Sequence, residues 1–296
     1  MTSAAFGFSM NSFDSPALPD APAASGTSDS QTMLRPVAPA WHTILLLAFI
    51  LLMSLQSTYA VTGSASARQT NFLFLQTIAI QWLIFGYIAW GLKRGGVRLR
   101  DLIGGRWSSP EDFLLDFAVA VGFMVSAFFV LGGLNLVVTT IPCFLDRLHH
   151  GLPVFAQGGV KAAIDCALKG RTGTATRLIK FMGPKTGLQL LLGLLVCCTA
   201  GVVEETMFRG YLQRQFGAWT QRAWFGLLAS AVVFGLAHGY EGPATMFVIT
   251  AFGVMFGLVA IWRRSLRPGM MTHAMFDGVQ MILLFLFSSG AVKMPS

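Results

Sequence analysis

An all-α, polytopic transmembrane helical bundle of about seven spans is the fold class this sequence predicts, on three observations. Of its 296 residues, 54% are hydrophobic and only 11% are charged, with a mean hydropathy of +0.63; a soluble globular domain carries about 25% charged residues. Apolar runs near the ~20 residues that a helix needs to cross a bilayer recur from Trp41 onward. The remaining charges gather mostly between those runs. The net charge of +8, from 21 Lys+Arg against 13 Asp+Glu, therefore reports basic cytoplasmic loops and not a nucleic-acid partner.

Residues 1–40 are rich in Ser, Ala and Pro. Such a composition cannot bury a core, so a disordered tail is expected. The tail lacks a basic stretch leading directly into an apolar one, so it does not read as a signal peptide, and the run from Trp41 reads as a first, uncleaved span. Seven runs follow in order: 41–61, 72–92, 113–141, 186–210, 224–240, 244–262 and 268–288. The third and fourth are long enough to tilt or to project beyond the bilayer. In the sixth, Gly253 and Gly257 form a GxxxG pair suited to close helix packing. Cys143, Cys166, Cys197 and Cys198 show neither metal-ligand spacing nor a disulfide framework.

Lys and Arg in the loops set the expected orientation. Lys93, Arg94, Arg98, Arg100 and Arg106 lie between the second and third runs, Arg214 and Arg222 between the fourth and fifth, and Arg263, Arg264 and Arg267 before the seventh. Seven spans bring these clusters to one side, the cytoplasmic one, with the N-terminus inside. The long basic loop 142–185 then falls outside, and a stretch such as 160–180 suits the membrane surface.

Six ionisable residues stand inside or just after apolar runs: Glu204, Glu205, Arg209, His238, His273 and Asp277. A charge at bilayer depth costs roughly 2.5–3.5 kcal/mol on insertion scales, so each must be paired, face water or do chemistry. Glu205 and Arg209 are an i,i+4 pair in the favoured order, which reads as an ion pair. Glu204 points elsewhere and has no local partner. His273 and Asp277 share a helix face by the same spacing, and His238 lies one turn after Phe234. At 1.5 Å per residue, Glu204 lies roughly 18 Å from Phe216, His238 roughly 21 Å from Trp224, and His273 and Asp277 roughly 8 and 14 Å from Pro268. One buried polar site shared by three helices is therefore geometrically open. His42, His149 and His150 read as interfacial or loop residues.

Two histidines with a carboxylate admit a His₂Glu zinc site, with Glu204, His238 and His273 as ligands and an open position for water. They equally admit a metal-free hydrolase in which Glu204 takes a proton from water and a histidine stabilises the oxyanion or protonates the leaving amine. Neither scheme has a serine or cysteine nucleophile. Ser230 lacks an elbow motif.

Glu204-Glu205-x-x-x-Arg209, Phe234-x-x-x-His238 and His273-x-x-x-Asp277 together resemble the three-motif signature of the CPBP intramembrane proteases, which include type II CAAX prenyl endopeptidases, abortive-infection proteins and bacteriocin-processing proteins. The resemblance covers about residues 186–290. It implies that Glu204 activates water, that Glu205 and Arg209 brace the site, and that His238 and His273 position water, stabilise an oxyanion or ligate a metal. At Asp277 the family shows Asn or Asp; an ionised Asp cannot donate to an oxyanion, so this residue favours metal ligation or the orientation of His273. The organisation implied is a tail over 1–40, accessory transmembrane helices with a basic loop over 41–185, and a catalytic helical core over 186–290. The expected function is hydrolysis of a peptide bond in a membrane-associated peptide or protein, lipidated or not, in the bacterial inner membrane. Membrane lipid and that substrate are the expected partners, and nucleic acid is not one.

Two other classes use similar residues. A transporter or proton relay would show internal repeats or paired broken helices, whereas here the deep ionisable residues all follow residue 200. A non-catalytic binding or immunity protein would keep the site as a pocket.

Overall fold

The computed structural model of the chain describes residues 34–60, 67–150, 160–162, 164–166 and 183–290. These residues are almost entirely helical, with no strand among them. Helices α1 (Ala40–Ala60), α2 (Ala67–Arg94), the short α3 (Leu99–Ile103) and α4 (Pro110–His149) form the first half. In the second half, α5 (Gly187–Glu205) continues through a π-helical segment, Thr206–Leu212, into α6 (Gln213–Thr220). Then come α7 (Ala223–Ala237), a 3₁₀ turn at Gly239–Glu241, α8 (Pro243–Arg263) and α9 (Arg267–Ser288). Six helices are long and apolar enough to cross a membrane, counting Gly187–Thr220 as one; α7, with 15 residues, is a shorter apolar seventh.

Helix ends follow local chemistry. Ser109 caps α4 by accepting from Asp112 N, with Pro110 in the first turn, and Thr186 caps α5 by accepting from Gln189 N. These side chains satisfy N–H groups that a helix start leaves orphaned. Gly242, at φ 95°, turns the chain into α8, a conformation open to glycine at little cost.

Small residues set how closely the helices approach. Gly201 of α5 lies against α9, where an added Cβ would stand 2.6 Å from the Met270 carbonyl oxygen. Gly253 and Gly257 do form a packing face: added Cβ atoms there would meet Ala231 at 3.0 Å and Leu227 at 2.2 Å, both on α7. The main apolar core joins α1 and α2 to the π segment, α6 and α7 through Leu46, Ile88, Phe208, Tyr211 and Phe234. A second cluster stacks Phe123 of α4 on Phe252 and Phe256 of α8.

Four expectations change. The expected tail reaches into the fold: residues 1–33 lie outside the described residues, but Val37 and Ala38 are buried in the main core. Gln215 holds them by accepting from both backbone N–H groups, at 2.8 and 3.1 Å, and donating to Ala38 O at 2.9 Å. Only tertiary contact could reveal this in a segment too polar to build a core itself. Second, Cys143 and Cys166 form a disulfide; α4 runs past its expected end at 141 and carries Cys143 into that pairing. The expected surface stretch 160–180 lies mostly outside the described residues. Third, His42 is fully buried, because the α1 start is covered by α2 and the π segment. Fourth, Asp116 is a buried ionisable residue that the sequence reading passed over. It pairs with Arg263 at 3.0 Å and Arg267 at 2.9 Å, and accepts from Trp107 Nε1 at 2.9 Å. None of these partners is within one helical turn of Asp116, so periodicity carried no sign of them.

Candidate functional site

Glu204, Glu205 and Arg209 reach the centre of the bundle on the continuous α5–π–α6 helix, and His273 and Asp277 reach it on α9. The sequence places them there because Gly193, Gly201 and Gly278 thin the α5–α9 interface to the width of backbones and one layer of side chains.

Glu205 is the junction. Its Oε1 accepts from Arg209 Nη1 at 2.9 Å and from His273 Nδ1 at 2.9 Å. All three side chains are at most 4% exposed. The i,i+4 pair expected from spacing thus forms, and it takes a third partner from a distant helix. Arg209 also donates to Gly253 O at 3.4 Å. Its guanidinium carbon sits 4.3 and 4.7 Å from the ring centroids of Phe234 and Phe256. Aromatic faces with a single carboxylate thus surround a cation that would otherwise be stranded.

Because His273 Nδ1 donates to Glu205, the other ring nitrogen faces the remaining carboxylates. Nε2 lies 3.4 Å from Asp277 Oδ2 and 3.8 Å from Glu204 Oε2. Glu204 Oε2 is itself buried and accepts no hydrogen bond among the described residues. An unsatisfied buried carboxylate oxygen is costly, so this atom implies a water or another polar guest. The side chains of Glu204 and Asp277 keep 22% and 34% exposure; they form the open wall of the site, while Glu205, Arg209 and His273 form its sealed floor.

His238 stands just past the end of α7. Its Nδ1 donates to Phe234 O at 2.9 Å, so Nε2 is the ring nitrogen left to accept. It borders the others through Phe234, whose ring centroid is 4.9 Å from that of His238 and 6.1 Å from that of His273. Starting from the end of the fold shared with Arg214, Arg263 and Arg267, 15 helical residues advance only about 22 Å, less than the ~30 Å apolar thickness of a bilayer. The turn after His238 therefore sits at membrane depth. Irregular backbone survives there only when covered by protein or lining a water-filled cavity.

Sequence reasoning missed Tyr240 and Glu241 on that turn. The ring of Tyr240 lies 6.0 Å from that of His238. Glu241 N donates to His238 O at 3.0 Å. A carboxylate three residues after a motif histidine was the available signal. Ser230, set aside as a nucleophile, donates to Phe208 O at 2.6 Å.

Among the described residues, no group of three or more His, Cys, Asp or Glu side chains is arranged to hold a metal ion. Glu204 and His273 approach one another, but His238 does not complete a ligand set with them. The donors therefore do not fit a resident metal in this arrangement, and the chemistry below is derived without one.

No curated protein and no solved structure gives a significant match to the chain. Residues 186–279 match the family model described as Rce1-like, type II CAAX prenyl endopeptidase. The matched segment contains all seven residues of the three motifs, within a bundle of apolar helices. The chain is thus an integral membrane protein whose residues 186–279 are similar to the type II CAAX prenyl endopeptidase family.

Proposed function

We propose that the protein is an intramembrane endopeptidase that cleaves a membrane-associated peptide or protein with a water activated by Glu204. The observation that carries this reading is the Glu204 Oε2 atom, buried, without a hydrogen bond among the described residues and facing His273 Nε2 at 3.8 Å. Glu204 takes one proton from the water, and the oxygen adds to the scissile carbonyl carbon. The C–N bond then breaks as the leaving nitrogen receives a proton from Glu204 or His238, giving a carboxylate and an amine. His273, held by Glu205 at one nitrogen and beside Asp277 at the other, orients the water. The Nε2 of His238 is available to the oxyanion or the leaving group. Arg209 holds Glu205 in place.

An N-terminus on the cytoplasmic side belongs to the same reading. Leu34 meets Gln221, Leu102 meets Arg214, and Asp116 meets Arg263 and Arg267, so the basic turns share one end of the bundle. The Cys143–Cys166 disulfide, on the far part of α4, suits the oxidising side of a membrane.

The test is a terminal-peptide profile of membranes from cells expressing wild type or Glu204→Gln at matched levels. New termini confined to wild type are the expected result, and they would name substrates as well. Identical profiles, with both proteins inserted and folded, would favour a binding or immunity protein.

A further inference from the structure

The residues between Glu205 and Gln213 do not form an α-helix. Gln213 N donates to Phe208 O, five residues back, at the end of the π-helical segment. Such a turn holds one more residue than an α turn, and shifts all that follows by about 100° of helix rotation relative to what precedes. The shift brings Arg209 to Gly253 O, Gln213 Nε2 to Gly257 O at 3.4 Å, and Gln215 to the 37–38 backbone, while Glu204 and Glu205 keep facing α9. A π segment is rare and intrinsically less favourable than an α-helix, so something must hold it.

Two sets of contacts do so, and neither belongs to the three motifs. Ser230 of α7 donates its hydroxyl to Phe208 O, the carbonyl that also receives Gln213 N. On the opposite side stands His42. Its Nε2 is 2.9 Å from Tyr87 O, which can only accept, so Nε2 carries the proton and Nδ1 accepts from Tyr211 Oη at 2.7 Å. Tyr211 Oη in turn accepts from Thr43 Oγ1 at 2.9 Å. The imidazole stacks on Tyr87, with ring centroids 3.8 Å apart and planes 12° from parallel. Tyr87 Oη returns a hydrogen bond to His42 O at 3.0 Å. An added Cβ on Gly91 would stand 2.3 Å from this ring, so the slot has no slack. Its core of His42, Thr43 and Tyr211 is fully buried, and among the described residues Tyr211 ties it to the catalytic helix.

We propose that His42, Thr43 and Ser230 are positioning residues for the hydrolytic site: by holding Tyr211 and the Phe208 carbonyl they maintain the π-helical register that sets Arg209 and Glu205 against His273. The proposal rests on the reading of Glu204 as the water-activating base. It gives the first two transmembrane helices, which lie outside the family match, a part in the chemistry.

The test uses the purified full chain in detergent, with Tyr211→Phe and Ser230→Ala, an internally quenched farnesylated CAAX peptide as the probe, and amide hydrogen exchange as an independent readout. Expected in each variant is faster exchange confined to amides 206–213, with kcat down at least tenfold and KM within twofold of wild type. Thr77→Ala removes a hydroxyl that serves only its own helix, at Leu73 O, and should match wild type in both readouts. Unchanged exchange over 206–213, or unchanged kcat where wild type cleaves, overturns the proposal. Exchange that rises throughout the chain also overturns it, since it shows general destabilisation. If Glu204→Gln cleaves as well as wild type, or wild type does not cleave, the reading of Glu204 or of the substrate fails, and the exchange data alone decide whether these residues hold the register.

Discussion

Glu205 Oε1 and His273 Nδ1 lie 2.9 Å apart across 68 residues of sequence. This contact joins the two helices that carry most of the site. It also divides two adjacent glutamates into different tasks. Glu205 is sealed and doubly hydrogen-bonded, whereas Glu204 is partly exposed and keeps one buried oxygen without a hydrogen bond among the described residues.

That division predicts opposite outcomes for neighbouring substitutions. Glu204→Gln should abolish cleavage and leave thermal stability in detergent near that of wild type. Glu205→Ala should lower stability by about 3–5 kcal/mol, because it strands the buried Arg209 and unties His273. Parallel melting curves and cleavage assays check this; equal stability losses in the two variants would refute the assignment.

Gly201 controls the spacing of α5 and α9. A valine there would drive its Cβ into the Met270 carbonyl, 2.6 Å away, which backbone cannot cheaply relieve. Gly201→Val should cost about 1–3 kcal/mol and reduce activity more than that loss explains, since Glu204 would move away from His273. Wild-type activity in a folded Gly201→Val protein would show that the α5–α9 distance is not critical.

Asp116 pairs with both Arg263 and Arg267. Asp116→Asn should destabilise the fold by about 2 kcal/mol, less than the ~3–5 of a fully buried pair because both arginines retain some water. The melting temperature should fall while KM and kcat at permissive temperature stay near wild type. A selective loss of kcat would instead place this cluster in the catalytic cycle.

The disulfide yields a topological prediction. A membrane-impermeant thiol reagent applied to intact cells should label Cys143 and Cys166 only after reduction, and replacing both with serine should cost about 3 kcal/mol for a loop of this length. Labelling without reduction would show that the bond does not form in the cell.

The legible part of this protein was the part written in local periodicity. Apolar runs near bilayer length determined seven hydrophobic helices. The i,i+4 spacing determined that Arg209 would meet Glu205 and that His273 and Asp277 would share a face, because 3.6 residues per turn leave no other arrangement. Three motifs in order pointed to the family model that residues 186–279 match. Only the tertiary structure decided which distant groups meet. The contact of Glu205 with His273, the burial of Asp116 among arginines of another turn, the network that holds His42, and the pairing of Cys143 with Cys166 all join residues more than 20 positions apart. The π register was invisible for the same reason: local propensity favours the α form, and contacts from α1 and α7 select the rarer one. Helix identity is a near-neighbour property of the chain, whereas a polar site in a membrane exists only where separate helices satisfy one another's charges.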